Sequence, residues 1–268
     1  MKTNLKNKVI LLTGASGGIG AGVARAFAAE GARLILHYRR GRAAAEELQR
    51  SLPRAKTIIL GADLTKEKEV TALFVAAQDA FGGIDTLVAN AGIWVDRETP
   101  LHEMTLAQWR RTLETDLTAA FLCCRAFFRL VKEQKHGNAT LVASTAGVFG
   151  EAGHADYAAA KSALAFGFLR TLKNEIARLA PPARGYCGGR VNCVSPGWTV
   201  TPLTEGHLRD TALVRRVTAT MALPKIARVE DIANLIVFLS SDTLAGHITG
   251  QNHVVAGGME GRLLWPTA

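Results

Sequence analysis

The sequence predicts an α/β domain: a single doubly wound parallel sheet with helices on both faces. Three observations predict it. Short apolar runs rich in Val, Ile and Leu recur along the chain, and longer stretches with apolar residues at helical period separate them. The first run leads directly into a glycine-rich turn, Thr13-Gly14-Ala15-Ser16-Gly17-Gly18-Ile19-Gly20. Strands that read as continuously apolar are buried on both sides, which is the condition of a parallel sheet covered by helices.

In chain order, strands are expected at Val9 to Leu12, Leu34 to Leu36, Thr57 to Leu60, Thr86 to Ala89, Thr140 to Ala143 and Val191 to Val194, with a short last one at His253 to Val255. Helices are expected at about 18 to 30, 42 to 51, 67 to 80, 106 to 134, 156 to 179 and 229 to 240. Two stretches break this rhythm. Ala180 to Gly189 is rich in Pro and Gly and reads as a loop. Residues 197 to 226 carry helical patterns without a strand before the last strand, an excursion expected to form a lid over a pocket. With 268 residues, 48% hydrophobic and 21% charged, the chain suffices for one full core, and no linker or repeat marks a second domain, so residues 1–268 are read as one unit.

Lys and Arg number 32 against 23 Asp and Glu, a net charge of +9 that attracts anions. The charges are dispersed, and the densest group, Arg39, Arg40 and Arg42, lacks interleaved aromatics, so no nucleic-acid role is expected. No apolar run approaches the roughly 18 residues needed to span a membrane, and the four apolar residues Val9 to Leu12 are too few for a signal-peptide core. Cys123, Cys124, Cys187 and Cys193 show neither C-x-x-C nor zinc-finger spacing, which fits a reducing cytoplasmic compartment and no metal site.

Glycines between a strand and a helix let the backbone approach a pyrophosphate, whose charge the free N–H groups of the helix terminus favour. The spacing here, G-x-x-x-G-x-G, resembles the T-G-x-x-x-G-x-G signature of the short-chain dehydrogenase/reductase family. Further motifs follow in that family's order: Asp63-Leu64, Asn90-Ala91-Gly92, Ser144, Tyr157-x-x-x-Lys161, Pro196-Gly197 and Thr201. The match runs through nearly the whole chain.

The resemblance implies a nicotinamide-dependent oxidoreductase moving a hydride between cofactor and carbonyl carbon. It assigns cofactor binding to Gly14, Ser16, Gly18, Ile19, Gly20, Asp63, Leu64, Asn90, Ala91, Gly92, Pro196, Gly197, Thr199 and Thr201, with Tyr157 and Lys161 shared with catalysis. Tyr157 is the implied proton donor, Ser144 a partner of the substrate oxygen, and Lys161 a holder of the nicotinamide ribose. Residues four apart on a helix are neighbours, and a cation beside a phenol is expected to lower its pKa from about 10. Where the family usually carries a catalytic Asn, this chain has Asp116, an acid expected to raise the Lys161 pKa or to stay protonated, and to alter the pH dependence.

An acidic residue at the end of the second strand would bind the ribose hydroxyl of NAD, whereas arginine accommodates the phosphate of NADP. The chain reads His37-Tyr38-Arg39-Arg40, with Tyr38 at the usual acidic position, so NADP(H) is expected, held by Arg39 or Arg40 with Ser16. Substrate-pocket candidates are Trp94, Phe149, His154 and Trp198. Within the family the pattern is most similar to 3-oxoacyl-(acyl-carrier-protein) reductases, which implies a 3-oxoacyl thioester or related ketone and an acidic carrier met by Arg125, Arg129, Lys132 and Lys135. A free small ketone, polyol or sugar is the alternative substrate, and a catalytically silent NADP-binding regulator is the alternative of another class. The family's usual homotetramer would pair helices 106–134 and 156–179, using Phe121, Phe127, Phe128, Phe166 and Phe168, together with the last strand, and the tail from Met259 to Ala268 would dock on its own or a neighbouring subunit.

Overall fold

A computed structural model describes residues 2–261. Seven strands, β1 (Val9–Leu12), β2 (Arg33–Tyr38), β3 (Thr57–Gly61), β4 (Thr86–Ala89), β5 (Asn138–Val142), β6 (Arg190–Pro196) and β7 (Asn252–Val255), form one sheet in the order β3-β2-β1-β4-β5-β6-β7. Every neighbouring pair is parallel. The strand order reverses between β1 and β4, and open parallel sheets bind ligands at such a switch point, beyond the carboxyl ends of the strands.

Strand period two divides the core. Leu11, Ile35, Leu87 and Leu141 point to one face, packed by α3 (Glu67–Phe81), α5 (Ala119–Gln134) and α8 (Leu169–Leu179). Ile10, Leu12, Leu34, Leu36, Val88, Val142 and Val194 point to the other, packed by α1 (Gly18–Ala29), α2 (Arg42–Arg50) and α10 (Val229–Ser240). The interleaving of the two sets along each strand is why the strands read as unbroken apolar runs.

The two long helices expected at 106–134 and 156–179 are each interrupted. The first is α4 (Leu106–Leu113), a π turn at Glu114–Thr118, then α5; the second is α7 (Ala155–Ala163), a π turn at Leu164–Phe168, then α8. A π turn inserts one residue into the helical spiral without breaking it, and such turns gather at functional sites. A five-residue helix, α6 (Thr145–Phe149), leads from β5 towards α7. The excursion at 197–226 is built without a strand, from a 3-10 turn at His207–Arg209 and α9 (Thr211–Thr218), and α11 (Asp242–Ala245) precedes β7.

Of the phenylalanines expected at a subunit interface, Phe127 and Phe128 are taken by the core and Phe121 is exposed. The Pro- and Gly-rich loop is held to the body by Tyr186, whose hydroxyl donates to the Gly137 carbonyl and accepts from its N–H. Leu263, Leu264 and Trp265 of the tail lie outside the described residues. Among the described residues no helix is long and apolar enough to cross a membrane.

Candidate active site

Two cavities open at the switch point. The outer, of about 480 Å³, is lined by the glycine turn (Gly14, Ser16, Gly18, Ile19, Gly20), by Arg39 and Arg40, by Asp63 and Leu64, by Asn90 to Gly92, and by Asp116 and Lys161. The inner, of about 140 Å³, is lined by Ser144, Pro196, Gly197, Trp198, Thr199 and Glu151. Tyr157, Ile19, Trp94 and Thr201 line both, so the phenol stands where they meet.

The glycine turn depends on the absence of side chains. Gly14 adopts φ +65°, and a Cβ there would lie 2.9 Å from Ala91 Cα. A Cβ on Gly20 would strike the Gly14 carbonyl, and one on Gly18 would lie 2.6 Å from Thr201. Among the described residues no side chain caps the start of α1, so its first N–H groups remain available to an anion. Asn90 secures the turn, donating from Nδ2 to the Thr13 and Gly14 carbonyls, while Thr13 Oγ1 accepts from the Asn90 and Ala91 N–H groups. An amide-lined cradle of this kind, at the switch point of a parallel sheet, fits a dinucleotide.

Tyr157 and Lys161 share one face of α7, with Nζ 5.5 Å from the centre of the phenol ring. Lys161 is buried; its Nζ donates to the Val142 carbonyl at 3.3 Å and lies 3.4 Å from Asp116 Oδ2. Asp116 projects from the π turn, where Oδ1 accepts the Ile93 N–H at 2.8 Å, while buried Oδ2 accepts no hydrogen bond among the described residues. Gly92 makes this approach possible, because a Cβ there would lie 2.9 Å from Oδ2 and 3.0 Å from Nζ.

Burial works against the Lys161 ammonium, but the Asp116 carboxylate and Tyr157 together outweigh it and hold the lysine pKa above its usual value. Burial likewise raises Asp116, against the pull of Lys161. For Tyr157 the net direction reverses the sequence-based expectation. Burial raises the phenol above its usual value, Asp116 and Glu151 add to the rise, and the opposing effects of Lys161 and Ser144 are smaller. The phenol is therefore held protonated, the form a proton donor needs.

Three expected site residues lie elsewhere. Tyr38 does not line either cavity; it pairs in register with Gly61, and its ring covers that glycine. Phe149 packs with Met221, Ala256 and Met259. His154 is buried behind the wall, stacked on Trp94 at 5.0 Å with Nε2 bonded to the Val95 carbonyl.

Other residues that matter were not singled out by sequence. His207 of the excursion at 197–226 meets Trp94 edge-on at 5.3 Å and Trp198 at 6.1 Å, and its Nε2 lies 2.5 Å from Asp96 Oδ1. These contacts tie that excursion to the loop after β4. Asp156 is buried and accepts from the Thr112 hydroxyl at 2.6 Å and the Tyr157 N–H at 2.9 Å, fixing α7 against α4. At Gly147 a Cβ would strike the Lys161 backbone, so this glycine sets the contact between α6 and α7. Its signal was in the sequence, a glycine three residues after Ser144, but only the helix crossing gives it meaning.

A glycine turn at the switch point of a parallel sheet, opening onto a Ser-Tyr-Lys group, defines a Rossmann-type oxidoreductase. Residues 14–260 match the family model described as enoyl-(acyl carrier protein) reductase. The chain is 36% identical to a 3-oxoacyl-[acyl-carrier-protein] reductase of Synechocystis sp., covering 96% of this chain and 98% of that one. It is 37% identical to a cis-4-hydroxycyclohexanecarboxylate dehydrogenase of Sinomonas cyclohexanicum, covering 94% and 96%. The crystal structure of a protein named gox2181 superposes with a TM-score of 0.86 at 27% identity, covering 95% of this chain and 96% of that one. The chain belongs to the short-chain dehydrogenase/reductase family.

Proposed function

We propose that this oxidoreductase is an NADP(H)-dependent carbonyl reductase acting on a 3-oxoacyl thioester or a related ketone. The observation that carries the reading is the position of Tyr157, at the junction of an amide- and arginine-lined cavity with a smaller one walled by Trp94 and Trp198. Arg39 and Arg40 supply the pairing groups for an extra phosphate, and no carboxylate occupies the strand end beside them. Ser16 lies close enough to Gly41 to share that corner.

Bound in the outer cavity, the cofactor supplies the hydride chemistry. The chain's own residues handle the oxygen. Ser144 donates a hydrogen bond to the carbonyl oxygen, and Tyr157 delivers its proton there as the alcohol forms. Lys161 offsets the negative charge that the phenol then carries. Asp116 keeps Lys161 cationic for that task.

The 3-oxoacyl reading is supported by the Synechocystis relative, a 3-oxoacyl-[acyl-carrier-protein] reductase. A carrier-bound substrate suits the +9 charge, with Arg129 and Lys132 the candidate contacts, whereas Arg125 is paired with Glu67. A second reading, a free cyclic ketone, is favoured by the paired tryptophans at the inner cavity and by the Sinomonas relative. We further propose a cytoplasmic homotetramer.

The test is a wild-type panel of a 3-oxoacyl thioester, a substituted cyclohexanone and a 1,2-diketone, each with NADPH and with NADH. Higher kcat/KM with NADPH and turnover of the thioester support the first reading. Turnover of the ring ketone alone selects the second, and a lower KM for NADH overturns the cofactor assignment.

A further inference from the structure

His37, the penultimate residue of β2, holds three backbone groups that belong to two different loops of the outer cavity. Its Nδ1 accepts the Gly14 N–H at 3.1 Å, and its own carbonyl accepts the Ala15 N–H at 2.9 Å. Its Nε2 lies 2.9 Å from the Ala62 carbonyl, one residue before Asp63. The ring is buried, 2% exposed, so water does not replace these partners.

This arrangement permits one protonation state. An amide donor faces Nδ1, so Nδ1 carries a lone pair, and a carbonyl faces Nε2, so Nε2 carries the proton. A second proton, on Nδ1, would set two N–H groups head to head, and the Gly14 contact would have to open. The turn it opens is the one in which Gly20 packs against the Gly14 carbonyl, where neither glycine has room for a side chain.

We infer that His37 is the positioning residue of the cofactor site: neutral, it fixes the glycine turn against the Asp63 loop, and protonated, it releases them and weakens cofactor binding. This deepens the proposed function and rests on the reading that the outer cavity takes NADP(H). Burial keeps the His37 pKa below its usual value, and the Ala62 carbonyl opposes that shift. Two charged side chains act on the ring, Arg39 from its own strand end lowering the pKa and Asp63 from the β3 side raising it. β1 and the glycine turn present the ring with backbone amides alone among the described residues.

A depressed pKa in the closed site means that closure binds fewer protons, so the contribution is complete above the ordinary histidine pKa and is lost as pH falls through the lower, closed-site value.

The experiment is calorimetric titration with NADP⁺ at pH 7.5 and pH 5.0, on wild type and His37→Asn, with ring-nitrogen NMR of the wild type. Asn offers an acceptor to Gly14 but no proton site. The expected result is a loss of affinity between the two pH values larger in wild type than in His37→Asn by about three- to tenfold. The variant corrects for titration of the cofactor's own phosphate. The NMR is expected to show the proton on Nε2 and a lone pair on Nδ1. Equal pH dependence in both proteins, or a proton on Nδ1 at pH 7.5, overturns the inference, and the NMR result stands even where the variant does not fold. No binding of NADP⁺ by wild type at pH 7.5 instead defeats the cofactor reading beneath it.

Discussion

Asp116 and Lys161 form an ion pair, Nζ to Oδ2 at 3.4 Å, with 0% and 4% of their side chains exposed. The carboxylate raises the lysine pKa and, after burial, adds to the rise at Tyr157. Asp116→Asn keeps an acceptor for the Ile93 N–H and removes the charge. Tyr157 then ionises at lower pH, so the alkaline fall of kcat/KM for carbonyl reduction moves to lower pH. A pH–rate profile unchanged in the variant contradicts this role.

Gly147→Ala places a methyl group against the Lys161 backbone, where α6 meets α7. Overpacking of this kind costs about 1–3 kcal/mol. Because α7 carries Tyr157 and Lys161 while α6 begins at the Ser144 cap, the expected kcat loss is at least about tenfold. Urea unfolding and steady-state rates check it; wild-type values for both would show that the helix crossing has slack.

Trp198→Ala removes a wall of the inner cavity and one partner of the Trp94–His207 cluster, while the outer cavity keeps its lining. Loss of about 1–1.5 kcal/mol of aromatic contact corresponds to a rise in ketone KM of roughly tenfold. The dissociation constant of NADP⁺ is expected to stay within about threefold. A change confined to cofactor binding would place Trp198 on the wrong side of Tyr157.

Far from the site, Asp85 accepts from Lys8 Nζ and the Val9 N–H, both at 2.8 Å, and lies 3.4 Å from His136. Burial pushes its pKa up, but these partners together outweigh burial and bring it down to about 2. A depressed carboxylate pKa stabilises the fold above its ordinary value of 3.8 and loses that contribution as pH falls through about 2. Asp85→Asn is expected to cost about 2 kcal/mol at pH 6 and progressively less below pH 4, read by urea unfolding at several pH values. A penalty independent of pH would mean that hydrogen bonding, not charge, does the stabilising.

The sheet was legible because its central strands face two helical layers and so carry apolar runs, as in Val9–Leu12 and Leu34–Leu36. The start of β5 was missed because Asn138 is polar; it is buried by donating from Nδ2 to the Ser240 carbonyl, a tertiary contact without a local signal. The π turns were invisible for a similar reason, since one inserted residue barely disturbs a helical pattern. At the site, the glycine turn and the Tyr157-Lys161 spacing are local and could be read directly. Tyr38 stands at the end of β2, as read from the sequence, but the direction of its ring is set by Gly61 on the neighbouring strand, which leaves no local signal. His207 and Asp156 act through partners far away in sequence, Trp94 and Asp96 in one case and Thr112 in the other.

The most direct test of the central claim compares wild type with Tyr157→Phe, measuring NADPH oxidation with a substrate that wild type turns over, alongside NADP⁺ affinity. The account predicts a fall in kcat of about 10²–10⁴-fold, the range of a lost general acid, with affinity retained within about threefold. Turnover in Tyr157→Phe within tenfold of wild type would contradict the assignment of Tyr157 as proton donor.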